Sequence, residues 1–196
     1  MYPSFEQIEA LHRKYAPDEH AYELVFTHSL IVRDIARSII EKNALTDNID
    51  NDLVEAGALL HDIGTYSLYR DGKFDKKNYI SHGVRGYEIL KKEGFPEQLC
   101  RIASNHTGMG ITREAIRALH LPMPEQDYVA NSLEEKLVMY ADKFHSKAPR
   151  FNTVESYRRF TSQFGDKGVE LFNARIEEFG VPDLDYFAKK YGHPLV

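Results

Sequence analysis

The sequence has 196 residues, with 25 Lys and Arg against 30 Asp and Glu, for a formal net charge of −5 with its nine histidines neutral. That is the length of one domain, enough to bury about two-thirds of the surface the unfolded chain exposes, so neither disulfides nor a structural metal is required for stability. Its single cysteine, Cys100, rules out an intrachain disulfide; a pI near 6.0 without a Lys/Arg block argues against dedicated nucleic-acid binding.

In chain order, Ser4 to Gln7 has the form of a capping box and opens a short helix that stops before Pro17. Asp18 to about Lys42 reads as a long helix with Leu24, His28, Ile31, Ile35 and Ile39 on one stripe. A third helix runs from about Asn51 to His61, and Gly64 is expected to end it in a left-handed turn. Thr65 to Ile80 is polar, basic and glycine-containing, and reads as a loop that could cover a site. Further helices are expected from Ser81 to Gly94, from Pro96 to Gly108 with Leu99, Ile102, Ala103 and His106 on one face, and from Thr112 to Leu119. Ser132 and Glu135 form a second capping box ahead of LEEKLVMYADKFH, a segment apolar nearly all round and so expected to be a buried central helix. Two or three helices follow, one carrying Val169, Phe172, Ile176 and Phe179 and ending at Gly180. No period-two alternation, internal repeat or long linker is present, so the expected class is all-α, with residues 1–196 as one compact multi-helix domain. No run approaches the roughly 18 apolar residues of a membrane span and the N-terminus is not leader-like. A cytoplasmic protein without membrane association is therefore expected.

The chemistry lies in His28, His61, Asp62, His82, His106 and Asp142, residues with metal-binding side chains placed on apolar faces. A carboxylate such as Asp142, one turn from Val138 in the most apolar helix, is costly to bury unless paired or bound to metal. Taken singly, each of these residues is satisfied by one hydrogen bond or an ion pair. The coincidence of a histidine on nearly every long central helix, followed by an aspartate, favours a shared site. Imidazole mixed with carboxylate suits Fe, Mn, Co or Zn, whereas an all-oxygen shell suits Mg or Ca.

His28, then Leu59-Leu60-His61-Asp62-Ile63-Gly64, then Asp142 in Tyr140-Ala141-Asp142-Lys143, resembles the H…HD…D signature of the HD-domain superfamily of metal-dependent phosphohydrolases, in its HDIG form. The resemblance spans about residues 20–146, leaving about 150–196 as a C-terminal helical extension. Ser81 to Gly86 and Asn105 to Gly108 are similar to the members with two extra histidines and two metals. By position, the resemblance implies His28, His61, Asp62 and Asp142 at a first divalent transition metal, with Asp62 bridging to a second held by His82 and His106. It also implies hydrolysis of a phosphomonoester or phosphodiester, with a nucleotide as the expected small-molecule substrate, through a metal-activated hydroxide. Arg85 and Lys143, next to ligands in sequence, are candidates to stabilise charge on phosphorus. Some members carry a lysine just after the dipeptide; here the stretch reads Gly64-Thr65-Tyr66, and Arg70, Lys73, Lys76 and Lys77 in the following loop are candidate substitutes, although each reads first as part of a solvated loop. His12, His20, His120, His145 and His193 fall outside the motif and read as solvated or core histidines. Cys100 has no histidine near it on its helix face and no expected role. The same ligand set also resembles HD-type di-iron oxygenases such as myo-inositol oxygenase, and a non-catalytic nucleotide-binding sensor is a third reading. No bound nucleotide cofactor is expected, since no glycine-rich phosphate loop occurs. A homo-oligomer through the aromatic C-terminal helices is compatible with the sequence.

Overall fold

A computed structural model describes residues 2–45, 47–70 and 72–196. Among them are ten α-helices and two hairpins of two-residue strands, in agreement with the all-α expectation. Seven of these ten helices begin where a short polar side chain accepts from a free backbone N–H group; α4, α5 and α9 do not. Ser4 and Gln7 form the full reciprocal box at the head of α1 (Phe5–Tyr15). Asp18 caps α2 (Glu19–Lys42), and Asp50 caps α3 (Asn51–Leu60). Next come α4 (His82–Lys92), α5 (Glu97–Asn105) and α6 (Arg113–Leu119), the last capped by Thr112. At α7 (Leu133–Asp142) only half the expected box forms. Ser132 accepts from Glu135 N, but the Glu135 carboxylate turns instead to Arg101 and to Asn131 N.

Helix α2 is the spine, burying Val25, Ile31, Val32, Ile35 and Ile39 against α3 and α7. On the other side α4 packs on α5 and on a 3-10 segment, Ile63–Leu68, that continues from the end of α3. Gly64 does not make the expected left-handed turn, for its φ is not among the positive ones. Its role is steric. A Cβ there would lie 2.0 Å from His82 O and 2.3 Å from Gly86 N, so glycine is what lets the His61-Asp62 turn lie directly on α4.

The expected loop over 65–80 is more ordered than polarity suggests. Thr65, Tyr66 and Leu68 are buried, β1 (Tyr69–Arg70) pairs with β2 (Lys73–Phe74), and a second 3-10 segment, Lys76–Ser81, leads into α4. Arg70 and Lys73 are exposed on this hairpin, and Lys76 and Lys77 are exposed at the start of the 3-10 segment. Helix α7 ends at Asp142 rather than His145. The chain then forms β3 (His145–Ser146), paired with β4 (Arg150–Phe151). Three helices follow: α8 (Val154–Ser162) packs on α9 (Asp166–Phe179), α9 packs on α7, and α10 (Leu184–Tyr191) packs on β4. Tyr140 of α7 meets Phe144, Phe172 and Phe179, and each phenylalanine so buried contributes about 2–3 kcal/mol. The last residues run beside β4, with Phe151 N donating to Pro194 O and Val196 N to Phe151 O. No helix among the described residues is long and apolar enough to cross a membrane.

Candidate metal centre

Five segments converge behind this packing: the middle of α2 brings His28, the end of α3 His61 and Asp62, the start of α4 His82, the end of α5 His106, and the end of α7 Asp142. All are buried except Asp142, whose side chain is 16% exposed. They form two groups able to hold a metal ion, His28–His61–Asp62–Asp142 and Asp62–His82–His106, with Asp62 common to both.

The spacing of the donor atoms can be tested against coordination chemistry. Two ligands each about 2.1 Å from one ion, at angles between octahedral and tetrahedral, lie about 3.0–3.4 Å apart. In the first group His28 Nε2 is 3.0 Å from Asp142 Oδ1 and 3.2 Å from Asp62 Oδ2, and His61 Nε2 is 3.3 Å from Asp62 Oδ2, 3.3 Å from His28 Nε2 and 3.5 Å from Asp142 Oδ1. In the second, His82 Nε2 is 2.9 Å from His106 Nε2, and the two lie 3.3 and 3.5 Å from Asp62 Oδ1. Both sets fit the edges of a coordination polyhedron.

Ring orientation fits as well. His61 Nδ1 donates to Ala58 O at 2.7 Å, His82 Nδ1 to Tyr79 O at 2.7 Å and His106 Nδ1 to Ala103 O at 2.8 Å, each three residues back in the chain. A carbonyl only accepts, so each Nδ1 carries a proton, and each ring, when neutral, presents an Nε2 lone pair inward. His28 is held differently, its Nδ1 lying 2.9 Å from Nδ1 of His145, whose Nε2 lies 3.0 Å from His193 Nδ1.

The carboxylates dominate the electrostatics. Burial pushes Asp62 up, but Lys147 and His61 outweigh it and hold the carboxyl well below its usual range. Asp142 is likewise held low, burial being outweighed by Lys143, His28 and His61. Burial pulls His61 down, yet Asp62 and Asp142 lift it to about 9, while burial takes His82 to about 3 and lowers His106. The pocket therefore stabilises positive charge on its carboxylate side.

The cations proposed from sequence lie differently from one another. Lys143 is buried, with Nζ donating to Asp142 Oδ2 at 2.7 Å and to His106 O at 2.8 Å, so it ties the ends of α5 and α7 together. Arg85 donates from Nε to Ser81 Oγ at 2.9 Å. Sequence reasoning missed Lys147, in the turn of the β3–β4 hairpin, whose Nζ ion-pairs with Asp62 Oδ2. It also missed Tyr79, which stacks on His82 with ring centroids 4.5 Å apart and carries the Lys147 ammonium 5.4 Å from its own centroid. His145 is buried beside a donor rather than a plain core histidine. His12 is one, bonded to Tyr66 Oη and Leu59 O, whereas His20 and His120 are exposed. Burial raises the Cys100 thiol, in keeping with no catalytic role.

The family model for the HD domain matches residues 25–147, a span that contains all six donors. The chain belongs to the HD-domain superfamily of metal-dependent phosphohydrolases. This HD domain is 39% identical to a tRNA (cytidine(56)-2'-O)-methyltransferase of Picrophilus torridus over 84% of its own residues, but it spans only 46% of that longer protein. It is 26% identical to a dihydroneopterin 2',3'-cyclic phosphate phosphodiesterase of Methanocaldococcus jannaschii, covering 86% of the chain and 58% of the relative. Among solved structures it is similar in fold to the HD domain of the Listeria monocytogenes phosphodiesterase PgpH in complex with cyclic-di-AMP. The TM-score is 0.52 at 16% identity, covering 99% of this chain and 90% of the other.

Proposed function

We propose that the chain hydrolyses a phosphoester of a nucleotide-like small molecule, with divalent transition metals held by the six donors. The observation carrying this reading is the shared carboxylate: one oxygen of Asp62 belongs to a four-donor group and the other to a three-donor group, both with metal-compatible spacing. His28, His61, Asp62 and Asp142 would hold one ion and Asp62, His82 and His106 the other. Bound there, such ions supply Lewis-acid charge and make water acidic enough to ionise near neutral pH. The protein's part is orientation. The backbone carbonyls behind His61, His82 and His106 fix the tautomer that leaves Nε2 free, Lys143 fixes Asp142 against the end of α5, and Arg85 at the start of α4 is the candidate for the outer part of a substrate phosphate. We assign residues 1–196 to one functional unit, since α9 packs on the helix that carries Asp142, α8 packs on α9, and α10 packs on β4.

A nucleotide-like phosphodiester is favoured because the Methanocaldococcus relative is named for a cyclic phosphate and the PgpH domain was crystallised with a cyclic dinucleotide. The methyltransferase name belongs to a protein of which this chain spans less than half. The test is metal analysis of protein purified without chelator, followed by product analysis on nucleoside monophosphates, 2',3'-cyclic phosphates and cyclic dinucleotides with Mn²⁺, under nitrogen. Hydrolysis without oxygen is the expected result. Turnover that strictly requires dioxygen, with no hydrolytic product under nitrogen, overturns the reading in favour of oxygenase chemistry.

A further inference from the structure

Most of the donor set is sealed. His28, His61, Asp62, His82 and His106 have side chains no more than 4% exposed, whereas Asp142 and Lys147 are 16% and 15% exposed. Residues 148–150, next to Lys147, are fully at the surface. Asp142 is therefore the donor that meets solvent, and Lys147, on the β3–β4 hairpin, is exposed to a similar degree beside the same centre.

The Lys147 ammonium ion-pairs with Asp62 Oδ2, the oxygen through which Asp62 joins the four-donor group. By the edge geometry above, a further ligand atom on an ion in that group, at a position adjacent to that oxygen, lies about 3 Å from it. A phosphoryl oxygen in that position is within reach of the flexible four-carbon lysine stem that holds its ammonium on Asp62 Oδ2. Lys143 has no such freedom, because it is more deeply buried and its two bonds both go to the protein. Tyr79 flanks the ammonium with a ring that is itself stacked on His82.

Resting on the phosphohydrolase reading, we infer that Lys147 is a catalytic residue that binds the substrate phosphoryl group and shares Asp62 Oδ2 with the metal, so that it weakens metal binding while strengthening phosphate binding. A lysine that only braced Asp62 would act in the opposite sense on the metal. This explains how the chain works without a lysine directly after its HDIG stretch: the ammonium comes instead from a hairpin 85 residues away in sequence.

The test uses the full chain and two neutral variants, Lys147→Met and Lys147→Gln, with Lys147→Arg as the charge-retaining control. Mn²⁺ affinity is read from the electron paramagnetic resonance signal of free ion, and inorganic phosphate affinity of the Mn²⁺-loaded protein by calorimetry. The neutral variants are expected to bind Mn²⁺ several-fold more tightly and phosphate at least tenfold more weakly, with Lys147→Arg keeping phosphate affinity within a few-fold of the parent. Unchanged or weakened Mn²⁺ binding in both neutral variants, or phosphate affinity equal to the parent, overturns the assignment of Lys147. Parent protein that takes up Mn²⁺ yet binds no phosphate overturns the phosphohydrolase reading and the inference with it.

Discussion

The two donor groups meet at Asp62 but are held in place in different ways. In the second, His82 and His106 are fixed by carbonyls three residues earlier in their own chain segments, so their aim is local. In the first, His61 is held in the same local way, but His28 depends on His145, 117 residues on, and Asp142 depends on Lys143 and on the end of α5. One group is thus set by short-range backbone geometry, whereas the other is completed only when the C-terminal third of the fold has closed. Damage to remote parts of the chain should therefore reach the first group before the second.

The largest effect should come from removing what the two groups share. Asp62→Ala should abolish metal occupancy at both and lower hydrolysis at least a thousandfold, measured by metal content per chain and by product formation; retention of two metals per chain would remove Asp62 from the bridging role. The next largest should come from Gly64→Ala, because the added Cβ meets backbone atoms of α4 that cannot turn aside. A loss of about 3 kcal/mol in denaturant unfolding is expected. Gly57→Ala is its control: the added Cβ there meets the movable end of Ile102, and a cost of about 1 kcal/mol or less is expected. Equal losses would show that the contact between the His61-Asp62 turn and α4 is not tight.

The groups themselves should separate in a third experiment. His82→Ala should leave one metal per chain, whereas His145→Phe should leave the second group intact and weaken the first about 10–100-fold, the usual effect of losing the partner behind a metal-bound histidine. Identical metal titrations for the two variants would contradict the division between local and remote support. The remaining effect is one of pH and lies outside both groups. Burial drives His12 down to about 4 in the folded chain, against about 6.5 when exposed. Between those values the unfolded chain takes a proton that the folded chain refuses, so stability is complete above pH 6.5 and declines as pH falls towards 4, by on the order of 3 kcal/mol. His12→Phe should remove about one proton from the uptake on acid unfolding; an unchanged pH slope would exclude His12 as a source of that decline.

Much of this was legible in the sequence because it is periodic or local. The stripe of α2, the capping box at Ser4, the helix starts near Asp18 and Thr112, the glycine stop after Phe179 and the six donor positions all announce themselves within a turn or two of helix. What stayed hidden depends on contacts between distant segments. The apolar run through Lys143 and Phe144 conceals the end of α7, because no glycine or proline follows until Pro149. The hairpin that aims Lys147 and His145 into the site is only two residues deep on each side, too short to show an alternating pattern. Gly64 was recognised as special for the wrong reason, since sequence marks a glycine without saying whether its conformation or its missing side chain is needed.

The row His28–His145–His193 has a spectroscopic consequence. Each ring nitrogen facing another must be donor on one side and acceptor on the other, so the three tautomers cannot be chosen independently. If His28 offers its Nε2 lone pair to an ion, its Nδ1–H points to His145, which must then direct its own proton to His193. The half-buried His193 ring thus becomes an internal reporter, and its ¹⁵N shifts should register events at the centre from two rings away, without any label placed among the donors.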